Sequence, residues 1–339
     1  MAQKSPPKFA APALLKSMYK KMRLKDASPF TKDRPLRVGT DCSGIKAPIV
    51  ALEQLGVPFS HEFSSEIDKQ CIATIRANFK PKIIFEDMTK RHLKDVPDID
   101  LYVCGFPCQP FSAAGKRDGV RDPRGTVFWE CLKVIRSKKP MMFMLENVRG
   151  LLSIDNGETF RQMIRELERL KQYRTTWKVL DTADYGVPQS RKRVFIVGVA
   201  KARSAHLSFA WPSPRVCHPL SCFVKWEDRS PALSTLTARD SAKLVRTNPN
   251  ALFVDLAFYD KSYPNAHLIC PCQCAQSRFW NTPLRRPMNL AEAFALQGFP
   301  EPLSYAGGDA RMKKMLGNSI SVNVVCHLFA NLLSQNHAA

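Results

Sequence analysis

The sequence reads IDLYVCGFPCQPFS from residue 99 to residue 112, and this stretch gives the strongest indication of the fold. Residues 99–103 form a short, mainly apolar run of the kind found in buried strands, and a loop rich in Gly and Pro follows. Doubly wound α/β folds bind their ligands at the carboxyl ends of such strands. The loop therefore places Cys108 where a nucleophile would stand, although most cysteines are simply small buried hydrophobic residues.

Further motifs follow other predicted strands. Residues 141–145 read as a second buried strand and end in Glu146-Asn147-Val148, which places a carboxylate at the same sheet edge. Gln189-Ser190-Arg191-Lys192-Arg193 leads into an apolar run at 194–199. Nearer the end come Gln297-Gly298-Phe299-Pro300 and Gly317-Asn318-Ser319. In this order the set resembles the C5-cytosine DNA methyltransferase family, from about residue 36 to about residue 333.

The resemblance implies a Rossmann-like, S-adenosylmethionine-dependent methyltransferase fold: a doubly wound, mostly parallel α/β sheet with a second, smaller target-recognition domain. We expect a basic N-terminal extension over residues 1–34 and a catalytic domain made of residues 35–200 and 288–339. Residues 201–287, the expected target-recognition domain, lack clear periodicity and contain many prolines. They hold twelve Lys or Arg and five Asp or Glu, a net charge of +7.

Local patterns predict alternating strands and helices, which favours a mostly parallel sheet covered by helices. Further strands are predicted at 36–40, 59–65 and 82–85. Helices are predicted at 48–55, 72–79, 126–135, 158–173, 289–297 and 319–333. The 158–173 helix has Phe160, Met163, Ile164, Leu167 and Leu170 on one face.

Composition points to an anionic partner. The chain has 339 residues and a formal net charge of +21, which favours a nucleic acid, although a membrane surface would also explain the charge. We find no apolar stretch of transmembrane length and no signal peptide, and expect no membrane association. Eleven cysteines without a secretory signal indicate reduced intracellular thiols.

The first 25 residues carry seven basic side chains and no acidic one. Such a segment could be a nuclear address, an organellar transit peptide, a DNA-tracking arm or simply a solvated, disordered terminus. The expected location is the nucleus, with an organelle as the alternative.

The resemblance assigns the chemistry to a thiol and a carboxylate. Carbon 5 of cytosine is a weak nucleophile, and addition of the Cys108 thiolate to carbon 6 would activate it through a covalent intermediate. Glu146 would bind the exocyclic amine and protonate or hydrogen-bond N3, a role that needs a raised carboxyl pKa. Alternating side chains let Arg191 and Arg193 reach one phosphate or the flipped base, unless both lie on a solvated strand face.

The substrate expected from the resemblance is double-stranded DNA, bound by a monomer. A base inside a duplex is out of reach, so the target must be flipped out. Gly115 and Gly119 would let the nucleophile loop close over the DNA. The candidate DNA-binding residues are Gln109, Ser112, Lys116, Arg117, Arg121, Arg124 and Gln189.

The methyl donor S-adenosyl-L-methionine is expected at the first strand turn. Members of the family usually have an aromatic residue where Cys42 stands and further glycines where Lys46 and Ala47 stand. Glu66 fits a carboxylate that binds the ribose hydroxyls, and Asp87 with Met88 fits the adenine. Asn318 and Ser319 could cap the last helix while lining the pocket. The candidate cofactor residues are Asp41, Cys42, Ser43, Gly44, Ile45, Glu66, Ile67, Asp87, Met88, Gly105, Pro107, Asn318 and Ser319.

No metal is expected in the reaction, but the second domain contains a group of possible zinc ligands. They are Cys217, His218, Cys222, Cys270, Cys272 and Cys274. Ordinary reduced cysteines are the alternative.

Two other functions fit the pattern. An RNA (tRNA) cytosine-5 methyltransferase would share the fold, but Pro110-Phe111-Ser112 after Pro-Cys-Gln favours the DNA-acting enzymes. A catalytically silent DNA-binding relative would explain the unusual residues of the first turn, whereas the presence of Cys108 and Glu146 argues against it.

Overall fold

The computed structural model describes residues 8–24, 28–107, 126–203, 209–229, 236–258 and 268–334. The helices are α1 (Ala11–Lys21), α2 (Ala47–Leu55), α3 (Lys69–Asn78), α4 (Thr126–Lys138), α5 (Glu158–Glu168), α6 (Ala238–Arg246), α7 (Leu290–Leu296), α8 (Asp309–Asn318) and α9 (Val322–Leu333). The strands are β1 (Leu36–Asp41), β2 (Phe59–Ser65), β3 (Ile83–Phe85), β4 (Leu101–Gly105), β5 (Met142–Val148), β6 (Tyr173–Asp181), β7 (Lys192–Ala200), β8 (Phe253–Asp255), β9 (Phe279–Asn281) and β10 (Arg286–Pro287).

The chain divides into two compact units, each made of separate segments. One comprises Met22–Leu180, Lys192–Pro212 and Cys326–Ala339, and it contains a seven-stranded sheet in the order β3-β2-β1-β4-β5-β7-β6. The first five strands pair in parallel, and β7 is antiparallel to β5. This is the predicted α/β class with a mostly parallel sheet. Because β1, β2, β4 and β5 run in one direction, their carboxyl ends meet at one edge, where ligands bind in such sheets.

Two glycines let the sheet accept large rings on one face. Gly39 of β1 lies opposite Phe63 of β2, and Gly198 of β7 lies opposite Phe143 of β5. A Cβ at Gly39 would lie 2.1 Å from the Phe63 ring, and a Cβ at Gly198 would lie 2.1 Å from the Phe143 ring. At each glycine, the space that a side chain would occupy is therefore filled by the aromatic ring from the neighbouring strand. Both rings are completely buried.

The other unit comprises Met1–Lys21, Asp181–Arg191 and Ser213–Val325 and contains the three-stranded antiparallel sheet β10-β9-β8. Its helices α6 and α7 begin at capping boxes, Thr237 with Asp240 and Asn289 with Glu292. In this unit the buried Arg286 guanidinium makes two bonds to the Glu292 carboxylate, Nη2 to Oε1 at 2.7 Å and Nη1 to Oε2 at 2.9 Å.

Several elements differ from the sequence prediction. The helix predicted at 158–173 ends at Glu168, because residues 173–177 are Tyr-Arg-Thr-Thr-Trp, which favour a strand, and Tyr173 begins β6. The last helix begins at Val322 rather than at residue 319. Helices α6 and α8, the strand β6 and the small sheet within residues 201–287 were not predicted.

The basic N-terminal segment contains a folded helix. Helix α1 buries Ala11, Leu15 and Tyr19, and the Tyr19 hydroxyl donates to the Gly298 carbonyl at 2.5 Å. A solvated, disordered terminus is therefore wrong for residues 11–21. The two compact units also differ from the expected domains. Helix α1, residues 181–191 and helices α7 and α8 belong to the same unit as the middle of the chain.

By length and composition alone, one stretch, Asp309–Leu333, is long and apolar enough to cross a membrane. No stretch of this kind was expected from the sequence. The structure buries 83% of its most apolar window inside the protein. Such burial is typical of core helices of globular proteins.

The close contact between Gly198 and Phe143 predicts that a single methyl group added at position 198 lowers the stability of the protein. We expect Gly198→Ala to lower the free energy of unfolding by about 1–3 kcal/mol, because the buried Phe143 ring must move. Gly150→Ala is the control, since the nearest atom to its added Cβ would lie at 3.9 Å. The measurement is the chemical unfolding midpoint of each variant. Equal midpoints for the two variants would contradict the tight fit of the ring.

Candidate active site

The turn between β1 and α2 carries the unusual backbone of the site. Cys42, Gly44 and Lys46 have positive φ angles of 47°, 49° and 70°. A Cβ at Gly44 would meet no atom of the described residues within 4 Å, so space free of these residues borders the turn at this glycine. Ser43 and Ile45 are buried, and the Ser43 hydroxyl donates to the Thr40 carbonyl at 3.0 Å. The half-buried Cys42 thiol lies 3.9 Å from the Met88 sulfur.

Glu66, the residue after β2, is bonded back to this turn. Its Oε2 accepts the Gly44 N–H at 2.7 Å, and its Oε1 accepts the Asp68 N–H at 3.0 Å. Burial raises the pKa of Glu66, and the two backbone N–H groups oppose this rise. The carboxylate thus links the first two strand ends at the sheet edge.

Asp41 is part of an internal network. Its buried carboxylate accepts from the Arg91 guanidinium, with Nη1 to Oδ1 at 2.7 Å and Nη2 to Oδ2 at 2.5 Å, and from the Tyr102 hydroxyl at 2.6 Å. Arg91 lies 5.0 Å from the Phe63 ring centroid and 5.2 Å from that of Phe85. The Asp41 side chain therefore supports the turn, and its oxygens are already bonded within the protein.

The neighbouring residues fit an adenosine-bearing ligand. Ile67 directly follows Glu66 and is 75% exposed, which is unusual for a large apolar side chain and suits the face of a purine ring. Asp87 is half-buried and accepts the Thr89 N–H at 2.9 Å; burial would raise the pKa of Asp87, but bonds from Thr89 and Lys90 lower it overall. Together with the open space at Gly44, these features fit S-adenosylmethionine.

The predicted acid lies at the same end of the sheet. Register pairs Gly105, the last residue of β4, with Glu146 of β5. The Glu146 carboxylate is mostly buried, and its Oε1 lies 3.3 Å from Nε of Arg193 in the adjacent strand β7. Asn147 donates from Nδ2 to the Phe106 carbonyl at 2.9 Å and so holds the segment that follows β4. Pro107, the last described residue of this segment, is exposed.

The predicted nucleophile and most predicted DNA contacts lie outside the described residues. They are Cys108, Gln109, Ser112, Lys116, Arg117, Arg121 and Arg124.

Arg191 makes internal hydrogen bonds. Its guanidinium is buried in the second unit and donates to the backbone carbonyls of Gln273, Gly317 (3.1 Å) and Ser319 (2.7 Å). These carbonyls occupy the Arg191 guanidinium, so the structure does not support the expectation that Arg191, with Arg193, reaches one phosphate or the flipped base.

Gln189 is also internal, contrary to its assignment as a DNA contact. It is fully buried, and its side-chain amide donates to the Leu296 carbonyl at 2.5 Å and to Gln297 Oε1 at 3.1 Å. Its own Oε1 accepts the Gln273 N–H at 2.8 Å. Gln189 therefore ties three segments of its unit together.

Asn318 and Ser319 do not cap α9. Asn318 is the exposed last residue of α8, and Ser319 is the C-terminal cap of that helix. The buried Ser319 hydroxyl donates to the Ile320 carbonyl at 3.0 Å. Both residues belong to the unit that contains Arg191.

The zinc alternative is not supported within the described part of the chain. No group of three or more His, Cys, Asp or Glu side chains there could hold a metal ion. Cys272 and Cys274 have sulfurs 3.7 Å apart, and Cys272 also receives a bond from Arg191.

Sequence reasoning missed Arg91 as the partner of Asp41, and Lys46 as a buried side chain. Arg91 follows the short strand β3 in a polar segment, where no local pattern marks it as buried. At position 46 the only signal was the departure from the family's glycine.

Comparisons with known proteins agree with the fold and the motifs. A family model described as C-5 cytosine-specific DNA methylase matches residues 41–228 and 237–334. The chain is 34% identical to the Type II methyltransferase M1.ScrFI of Lactococcus lactis subsp. cremoris, over 78% of this chain and 69% of that protein. It is 33% identical to M.NgoBI of Neisseria gonorrhoeae, over 84% of this chain and 88% of the relative.

Solved structures share the fold at lower identity. The S. pombe Dnmt2 methyltransferase superposes with a TM-score of 0.64 at 22% identity, covering 88% of this chain and 98% of that one. A DNMT2 mutant of Spodoptera frugiperda gives a TM-score of 0.69 at 16% identity, over 88% and 99% of the two chains. The resemblance drawn from the motifs is confirmed by the family match: this chain belongs to the C-5 cytosine-specific DNA methylase family.

Proposed function

We propose that the protein transfers a methyl group from S-adenosyl-L-methionine to carbon 5 of cytosine in double-stranded DNA, as a monomer, through a covalent bond between Cys108 and carbon 6. One observation carries the proposal. The buried Glu146 carboxylate is oriented by Arg193 beside Gly105, the strand end that leads into Pro107-Cys108. Similarity to proteins named Type II methyltransferases supports it.

The reaction needs a nucleophile and an acid on one base. The Cys108 thiolate adds to carbon 6, and the electron pair of the C5–C6 double bond becomes available at carbon 5. Hydrogen bonding or proton donation from Glu146 at N3 offsets the charge that develops in the ring. When bound, S-adenosylmethionine supplies an electrophilic methyl group. Loss of the carbon 5 proton to a base then expels the thiolate and restores the aromatic ring.

The Glu146–Arg193 pair is suited to hold the base. Its two side chains are only 11% and 13% exposed, so the ion pair acts in a region of reduced water access. A guanidinium contact at one oxygen restrains the carboxyl group, which must face both N3 and the exocyclic amine of cytosine. Arg193 is therefore proposed as a positioning residue and Glu146 as the catalytic acid.

Access to the ring requires base flipping, which we propose for this protein as well. The formal charge of +21 favours binding to the phosphate backbone. Segment 201–287 remains our proposed target-recognition region, with Arg191 and Gln189 as internal supports of the unit that contains it.

The nucleophile is tested with the Cys108→Ala variant. We expect methyl transfer from radiolabelled S-adenosylmethionine to duplex DNA to fall by about 10³-fold or more, because the covalent step is lost. DNA with 5-fluorocytosine at the target should form a denaturant-resistant complex with the wild type and none with Cys108→Ala. Cys222→Ala, at a half-buried thiol of the other unit, is the control.

The substrates for this assay are unmethylated duplex DNA, hemimethylated duplex DNA and tRNA. Label in tRNA alone would move the protein to the RNA-modifying branch. DNA binding without label on any substrate would favour the silent binder and overturn the proposal.

The acid is tested with Glu146→Gln, which keeps the shape and removes the proton donor. We expect kcat of the folded variant to fall by about 10²-fold or more. The unfolding midpoint should also fall, because the mostly buried Arg193 loses its anionic partner. Glu158→Gln is the matched control, because Glu158 is exposed and pairs with Arg161 and Arg165 on α5. A Glu146→Gln variant as active as Glu158→Gln would rule out the assigned role.

A further inference from the structure

The amine of Lys46 is buried in the first turn with one neutral partner. The residue is completely buried, and among the described residues its Nζ has a single hydrogen-bond partner, the Thr40 hydroxyl. The Ser43 hydroxyl donates to the Thr40 carbonyl, so the Thr40 hydroxyl donates to Ser43 Oγ at 2.7 Å and accepts from Lys46. The chain of hydrogen bonds therefore uses one N–H of the amine and contains no anion.

The two carboxylates that attract this amine, Asp41 and Glu66, are bonded to other groups. Asp41 is paired with Arg91 and Tyr102, and Glu66 accepts the N–H groups of Gly44 and Asp68. Within the described part of the chain, no ion pair joins Lys46 to either carboxylate. An ammonium ion in this position would lack a direct counter-ion, which is costly in a protein interior.

Among the described residues, His61 of β2 is a further titratable group that interacts with Lys46. Its imidazole bonds to the Ser64 hydroxyl at 3.1 Å, and its pKa is lowered to about 2, first by burial and then by the Lys46 charge. It therefore stays neutral across the physiological range. Burial also lowers the pKa of Lys46 well below its ordinary value, and attraction to Asp41 and Glu66 offsets only part of this shift.

We propose that Lys46 is a specificity-determining residue that sets the preference of the turn between the methyl donor and its demethylated product. This inference rests on the proposed function, which places S-adenosylmethionine at this turn. The donor carries a sulfonium cation and has a net charge of +1 at neutral pH, whereas S-adenosylhomocysteine has a neutral thioether and a net charge of zero. A neutral amine at position 46 admits the cation, and a protonated one repels it.

The direction of the pH effect follows. Above its lowered pKa, Lys46 is neutral and the donor binds without repulsion. As pH falls through that pKa, the amine gains a proton, and the donor loses affinity relative to the product. By linkage, binding of the donor near this pH releases more protons than binding of the product.

The test is calorimetric titration of the full chain with S-adenosylmethionine and S-adenosylhomocysteine between pH 6 and pH 9, without DNA. We expect the ratio of the two dissociation constants, donor over product, to rise as the pH falls in the wild type, because a protonated Lys46 repels the sulfonium cation and not the neutral thioether. In Lys46→Met, which keeps the length and loses the proton, the ratio should stay nearly constant. Lys82→Met, at an exposed ammonium that pairs with Glu62, should behave as the wild type.

The outcomes separate this inference from the proposed function. If neither ligand binds the wild type, both fail. If both ligands bind and the ratio of their dissociation constants does not change with pH, the Lys46 inference alone is overturned. The same holds if the ratio changes equally in the wild type and in Lys46→Met, because Glu66 would then be the group that titrates. Should Lys46→Met not fold, wild-type titrations in two buffers of different ionisation enthalpy give the protons released. Equal numbers of protons released on binding of the two ligands would then overturn the Lys46 inference.

Discussion

The site depends on one buried ion pair, between Asp41 at the end of β1 and Arg91 after β3. Their side chains are 0% and 4% exposed. Burying a lone carboxylate costs several kcal/mol, so the turn can hold Asp41 only because Arg91 and Tyr102 satisfy its oxygens. Arg91 in turn lies against the rings of Phe63 and Phe85. With Tyr102 of β4, the pair thus joins the end of β1 to the segment after β3 at the edge where ligands bind.

The Asp41–Arg91 ion pair determines which charged groups at the turn can interact with a ligand. With Asp41 neutralised inside the protein, Glu66 is the carboxylate bonded to the backbone of the turn, and Ile67 beside it is exposed. Lys46 fills the space beneath the same turn without an ionic partner among the described residues. A turn built in this way presents a carboxylate, an apolar side chain and a buried amine within a few residues. It is poor in glycine yet still takes three positive φ angles, two of them at Cys42 and Lys46.

The parts of the fold that the sequence predicted are those with strong local patterns. The strands β4, β5 and β7 are mainly apolar runs, and motif residues lie at or beside their ends as expected. The strands β1 and β2 contain more polar residues, but both were also predicted. Strand β6 was missed because Tyr173 continues the apolar face of a helix, and the small sheet because strands of two or three residues have no measurable period. The sequence also placed Glu146 correctly at the end of a buried strand. It could not give partners such as Arg91 for Asp41, because these contacts join residues 50 positions apart.

The Gln-x-Arg-x-Arg motif shows why recognising a motif does not assign the role of each residue. Arg191 is the last residue of a segment that folds with one unit, and Lys192 is the first residue of β7 in the other. Within its unit Arg191 binds three carbonyl groups, whereas Arg193 orients the Glu146 carboxylate. Alternation along a strand predicts a shared direction for the two arginines only if both belong to that strand. Because the strand begins between them, the same residue type is structural at the first position and faces the proposed chemistry at the second.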